Sequence, residues 1–153
     1  MSGTSGDLTA EECAGVRAAL TAVTPHGAGG QEWTLALLFS AWRDVVSEVE
    51  EGYAWCAPEL DNDTWCRDAL ARVWPLLPPR VRELRRPELD ALDARFRTAT
   101  IAWPDRSEEP PRWWEYRIPR ILRAEPGERR RLGWTEGWAM LPFPKPAEVE
   151  VVE

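Results

Sequence analysis

Apolar residues recur at steps of three and four through most of the first hundred positions, then lose that rhythm. Cys13, Val16, Leu20 and Val23 mark the inner face of a first helix. Leu8, Thr9 and Glu12 predict its start, with a capping box from Thr9 to Glu12 and a hydrophobic staple from Leu8 to Cys13. "TPHGAGG" at 24–30 ends it with one proline and three glycines. Leu35, Leu38, Phe39, Trp42, Val45, Val46 and Val49 predict a second helix from about Gln31 to Glu51, stopped by Gly52. Trp33, Leu37 and Ala41 fall on the other side of its first half, which is thus apolar nearly all round and expected at the centre of the fold.

The stretch "YAWCAPELDND" reads as a loop whose aspartates, Asp61 to Asp63, offer N-cap oxygens to a third helix reaching about Trp74. Trp65, Ala69, Leu70, Val73, Trp74 and Leu77 form its apolar face, and Pro75, Pro78 and Pro79 close it. "PRVRELRR" predicts a short fourth helix, and Pro87 opens a fifth at its favoured first turn. That segment buries Leu89, Leu92, Phe96 and Ala99, with Asp93 and Arg97 paired four apart on the outside. From Pro104 onward the pattern becomes irregular. In "PPRWWEYRIPR" at 110–120 the prolines oppose a helix, and strand alternation places Trp114, Tyr116 and Ile118 on one face and Trp113, Glu115 and Arg117 on the other.

The predicted class is mainly α: a single-domain bundle of about five helices over 9–141. It has a leader at 1–8, an irregular Trp/Arg/Pro-rich C-terminal third with one short strand or hairpin, and a Pro-rich acidic tail at 142–153. At 153 residues the chain is long enough for one self-sufficient core. "MSGTSGDLTAEE" has no basic n-region, and the longest apolar run, "WTLALLFSAW", is too short to span a bilayer, so a cytoplasmic location without membrane contact is expected. The three cysteines, Cys13, Cys56 and Cys66, are read as reduced thiols. With one histidine, His26, a zinc site is poorly supported and no cofactor is expected.

Charge alters this picture. Residues 1–63 hold eleven acids and two arginines, whereas residues 64–131 hold sixteen arginines and eleven acids. Such a chain either neutralises itself on folding or presents faces of opposite sign. Glu48, Glu50 and Glu51 occupy the last turn of the second helix, where the macrodipole favours cations, and Glu59, Asp61 and Asp63 follow closely. Asp44, Glu48 and Glu51 lie at i, i+4 and i+7, on a single helix face.

Three readings of that acidic end stand. In the plainest, later arginines fold back to pair with it, or water solvates it. In the second, Asp44, Glu48, Glu51, Asp61 and Asp63 dock a protein partner with a basic surface, anchored by Tyr53, Trp55 and Trp65. In the third, Asp44, Glu48, Glu51 and Asp68 hold magnesium or manganese for nucleotide or phosphoester hydrolysis. "EVEE" at 48–51 gives the E-x-x-E that resembles one motif of the all-α nucleotide pyrophosphohydrolases, but their second acidic motif is missing from the next helix. "DNDTWCRD" lacks the glycine of an EF-hand. His26 has no nucleophile at a diagnostic spacing, and "GAGG" at 27–30 lacks the βαβ context of a phosphate loop. A further alternative makes Arg112, Trp113, Arg117 and Arg120 a nucleotide or nucleic-acid platform, although a structural cover is the simpler role for that stretch.

"EEGY" at 50–53, "RDAL" at 67–70, "LDARFRTAT" at 92–100 and "WWEYRIPR" at 113–120 resemble, in order and spacing, a group of small uncharacterised actinobacterial proteins. The resemblance implies a compact single domain and no assigned activity. The leading expectation is a non-enzymatic protein-binding module, with an immunity or antitoxin-type inhibitor as its most concrete form.

Overall fold

A computed structural model describes residues 7–24, 32–106 and 108–153. His26, the glycines at 27–30, Gln31 and the first six residues of the predicted leader lie outside the described residues. The class is mainly α, with a few short strands in the C-terminal part. Helix α1 (Ala10–Val23) begins with the predicted capping box: Thr9 Oγ1 accepts from the Glu12 amide at 3.0 Å, and Glu12 accepts from the Thr9 amide at 2.9 Å. Cys13 is exposed, so the expected staple partner and core position is not one; Ala19 and Leu20 carry the burial instead.

Helix α2 (Leu35–Glu51) starts later than expected because Thr34 takes the N-cap and accepts from the Leu37 amide. Its seven predicted core residues are all buried, with Leu38, Trp42, Val46 and Val49 fully enclosed. Each is worth about 1.5–3 kcal/mol of apolar burial, so α2 is the element the others pack around. Gly52 ends it with φ +116°, a conformation that disfavours any Cβ.

The expected loop after Gly52 contains a helix, α3 (Ala57–Asp63), opened by Pro58 in its first turn. Asp61 and Asp63 therefore sit inside α3 rather than capping the next helix. Thr64 forms the junction to α4 (Trp65–Val73), and a 3-10 turn (Trp74–Leu76) follows. Pro87 does not divide the next segment: α5 runs unbroken from Pro79 to Ala99. The proline removes one intrahelical bond, to the carbonyl of Glu83, on a side where both residues are exposed and water can replace it. Val81, Leu89, Leu92 and Phe96 keep the helix on the core from both sides of the break in bonding.

The predicted outward pair of Asp93 and Arg97 is also absent. Asp93 turns inward to Arg67 and accepts the Trp42 indole N–H, while Arg97 pairs with Glu109. Nor is 113–118 one strand. Trp113–Glu115 form a 3-10 turn, which buries both tryptophans, and only Arg117–Pro119 (β2) is extended. β2 pairs antiparallel with β1 (Thr100–Ala102), Ile118 opposite Ile101. β3 (Ile121–Arg123) pairs in parallel with β6 (Glu150–Val152), and Tyr53 bridges β3 from its other side. β4 (Arg130–Arg131) and β5 (Trp134–Thr135) form a hairpin with Leu132 and Gly133 both at positive φ, the geometry of a two-residue turn. The single-turn helix α6 (Glu136–Ala139) follows. Phe143 and Val149 join the core, so the Pro-rich C-terminal stretch is built into the domain.

Candidate protein-docking surface

The last turn of α2 contains no basic residue, so its carbonyl ends and its glutamates must be accommodated from elsewhere. Arg123, delivered by β3, donates Nη2 to the Glu51 carbonyl at 2.9 Å. The guanidinium thus answers the helix dipole through the backbone and leaves the Glu51 carboxylate outside the bond. Glu50 meets Arg95 of α5, at 2.5 Å from Nη2 and 3.2 Å from Nε, which holds its carboxyl below the usual range. Among the described residues this is the one ion pair made by the seven carboxylates between residues 44 and 63.

Glu48 and Asp63 are held by neutral donors. The Trp55 indole N–H donates to Glu48 at 3.0 Å, and the Tyr53 hydroxyl donates to Asp63 at 2.6 Å. Partial burial, with the charges of Asp63 and Glu51, pushes the Glu48 carboxyl upward. Tyr53 is pushed upward too, first by burial and then by Asp63. Trp55 is 59% exposed yet fixed at both ends, since its carbonyl accepts the Trp138 indole N–H at 2.8 Å.

On the other flank of α3, Asp61 is raised by packing around its carboxyl and by Asp68. Asp68 accepts the Trp114 indole N–H at 2.7 Å. Glu115 is raised by burial, by the charge of Asp68 and by a hydrogen bond to that carboxyl, against a weak Arg112 contact at 3.5 Å. Acids therefore line both sides of α3.

The structure brings together Glu48, Glu51, Asp63 and Trp55, with Asp61 across the short helix and Asp44 exposed further along α2. It does not leave Tyr53 as a contact residue, because the ring is buried. Trp65 belongs to a different place: it packs edge-on against Trp33, 4.7 Å away, before the start of α2. Sequence reasoning missed Glu115, Trp138 and Met140, whose approach to α3 depends on how the irregular third of the chain folds back.

The alternative residues take other roles. Among the described residues no three His, Cys, Asp or Glu side chains converge to hold a metal ion, and Asp68 accepts the Trp114 indole N–H instead. Arg117 donates to Thr100 Oγ1 at 2.6 Å, Arg120 to the Thr98 carbonyl at 2.9 Å, and Arg112 contacts Glu115. Trp113 is buried beneath Arg97, whose guanidinium lies 3.7 Å from the ring centroid, with that of Arg117 further off at 5.9 Å. Cys66 is buried and its thiol is pushed up to about 12, so it is inert. No helix among the described residues is long and apolar enough to cross a membrane. The chain matches no family model, and no curated protein or solved structure matches it.

Proposed function

We propose that this protein acts without catalysis, by docking a partner with a basic surface onto the acidic face formed by the end of α2 and by α3. The observation that carries the reading is the ion-pair pattern. Of seven carboxylates between residues 44 and 63, one is paired with a guanidinium among the described residues, although residues 64–131 supply sixteen arginines. Several of those arginines serve backbone carbonyls, other acids and aromatic faces. An under-compensated acidic face steers a basic partner and disfavours acidic ones. Trp55, exposed with its indole N–H on Glu48 and its main-chain carbonyl held by Trp138, supplies an aromatic anchor beside it. An inhibitor that covers a basic active-site cleft, as immunity and antitoxin-type proteins do, is the most concrete form of this reading.

Affinity capture from a native lysate, comparing wild type with the Glu48→Lys, Glu51→Lys variant, tests it. Basic proteins retained by wild type and lost by the variant are expected; an identical set of retained proteins opposes the reading.

A further inference from the structure

A recess of about 220 Å³ opens between α3, Trp103 and the segment around α6, on the flank of α3 away from Glu48. Pro58, Trp103, Trp138 and Met140 give it largely apolar walls. Trp103 is wedged between Tyr116 at 5.4 Å and Phe143 at 5.3 Å, and Trp138 is tied through its indole N–H to the Trp55 carbonyl, so the aromatic walls are fixed.

The charged groups of the lining are Asp61, Glu115 and Arg117. Arg117 turns its guanidinium to Thr100 Oγ1 and to the carbonyls of Arg97 and Thr100, so those contacts draw its charge toward β1. Asp61 and Glu115 remain, with Asp68 beside both, and each is pushed upward by burial together with that neighbouring charge. A neutral or anionic occupant would leave these carboxyls desolvated beside like charge. A cationic head with an aliphatic stem answers both features: charge for the carboxylates, methylenes and cation–π contact for the indoles.

We infer that this recess receives the side chain of one lysine or arginine of the basic partner, its charged end beside Asp61 and Glu115 and its stem against Trp103 and Trp138. The inference rests on the docking reading and names a subsite within it. The recess is linked to the anchor's main chain, because the Trp138 wall donates its indole N–H to the Trp55 carbonyl. Met140, 58% exposed at the recess, extends the apolar surface.

The test is NMR titration of the full chain with n-butylammonium and n-butylguanidinium at millimolar concentrations, following the indole N–H resonances of Trp103 and Trp138. n-Butanol serves as the uncharged control. Saturable shifts with both cations and none with n-butanol are expected, weakened at least about fivefold in Asp61→Asn, Glu115→Gln. Asp61→Asn alone, at an exposed position, gives the same direction should the pair of substitutions perturb the fold. An equal response to n-butanol, an unchanged response in the variants, or no saturable shift overturns the inference. Glu48→Lys, Glu51→Lys leaves the small-cation response intact while weakening whole-partner capture, so this inference and the docking reading fail separately.

Discussion

Arg67 closes both arms of its guanidinium on Asp93, Nε to Oδ1 and Nη2 to Oδ2, each at 2.9 Å. The pair joins α4 to α5 with side chains only 9% and 16% exposed, and Asp93 also accepts the Trp42 indole N–H at 3.1 Å. Arg67 lies 4.2 Å from the centre of the Trp114 ring, so the contact also fastens the C-terminal cover to the helices. Removing one partner strands the other charge in a mostly buried setting. Asp93→Ala is expected to cost about 3–5 kcal/mol, read as a shift of the denaturation midpoint, and Arg67→Ala a comparable amount. The double substitution to well-packed apolar residues should cost clearly less than either single change, which a double-mutant cycle measures.

That pair also marks where the sequence stops being legible. The capping box at Thr9 and Glu12, the seven buried positions of α2 and the stop at Gly52 follow from local chemistry and could be read directly. Asp93 could not, because its i+4 neighbour Arg97 offers an equally good local partner and only the fold brings Arg67 to it, 26 positions earlier. Pro87 looks like a boundary in the sequence, since proline's local cost is visible there and the core burial on both sides of it is not. Of the candidate surface, the crowding of acids at 44–63 was legible. The burial of Tyr53, the departure of Trp65 toward Trp33 and the arrival of Glu115 and Trp138 beside α3 are tertiary facts without a local signature.

Gly137 lets α6 approach α3. A Cβ built there would lie 2.5 Å from Cys56 Cβ and 2.9 Å from its Cα, and a backbone atom cannot swing aside. Gly137→Ala should destabilise by roughly 1–3 kcal/mol and push Trp138 off the Trp55 carbonyl. Thermal unfolding gives the first quantity, and the Trp138 indole resonance reports the second.

Glu115 gives a pH signature. Burial and Asp68 raise its carboxyl, so the folded chain keeps a proton that the unfolded chain has already released. Its contribution is therefore most favourable in acid and declines as pH rises from the ordinary glutamate value through the higher folded value. Glu115→Gln should raise stability at neutral pH, a gain that fades in acid. Melting temperatures of wild type and variant across pH should converge on the acid side; a constant difference would count against this origin.

The Tyr53 hydroxyl steadies Asp63 with a 2.6 Å bond, in a site where Glu48 and Glu59 add negative charge. Tyr53→Phe should cost about 1 kcal/mol of stability and leave Asp63 free to turn outward. Because the ring is buried, partner affinity should change little. A large loss of affinity with unchanged stability would mean that Tyr53 touches the partner.

The central claim is that the carboxylates at the end of α2 serve something outside the chain. The most direct measurement is the affinity of the purified captured partner for the Glu48→Lys, Glu51→Lys variant relative to wild type, at physiological ionic strength. The account predicts binding at least about tenfold weaker, with a shallower salt dependence than wild type. Equal affinity, with equal salt dependence, would contradict it.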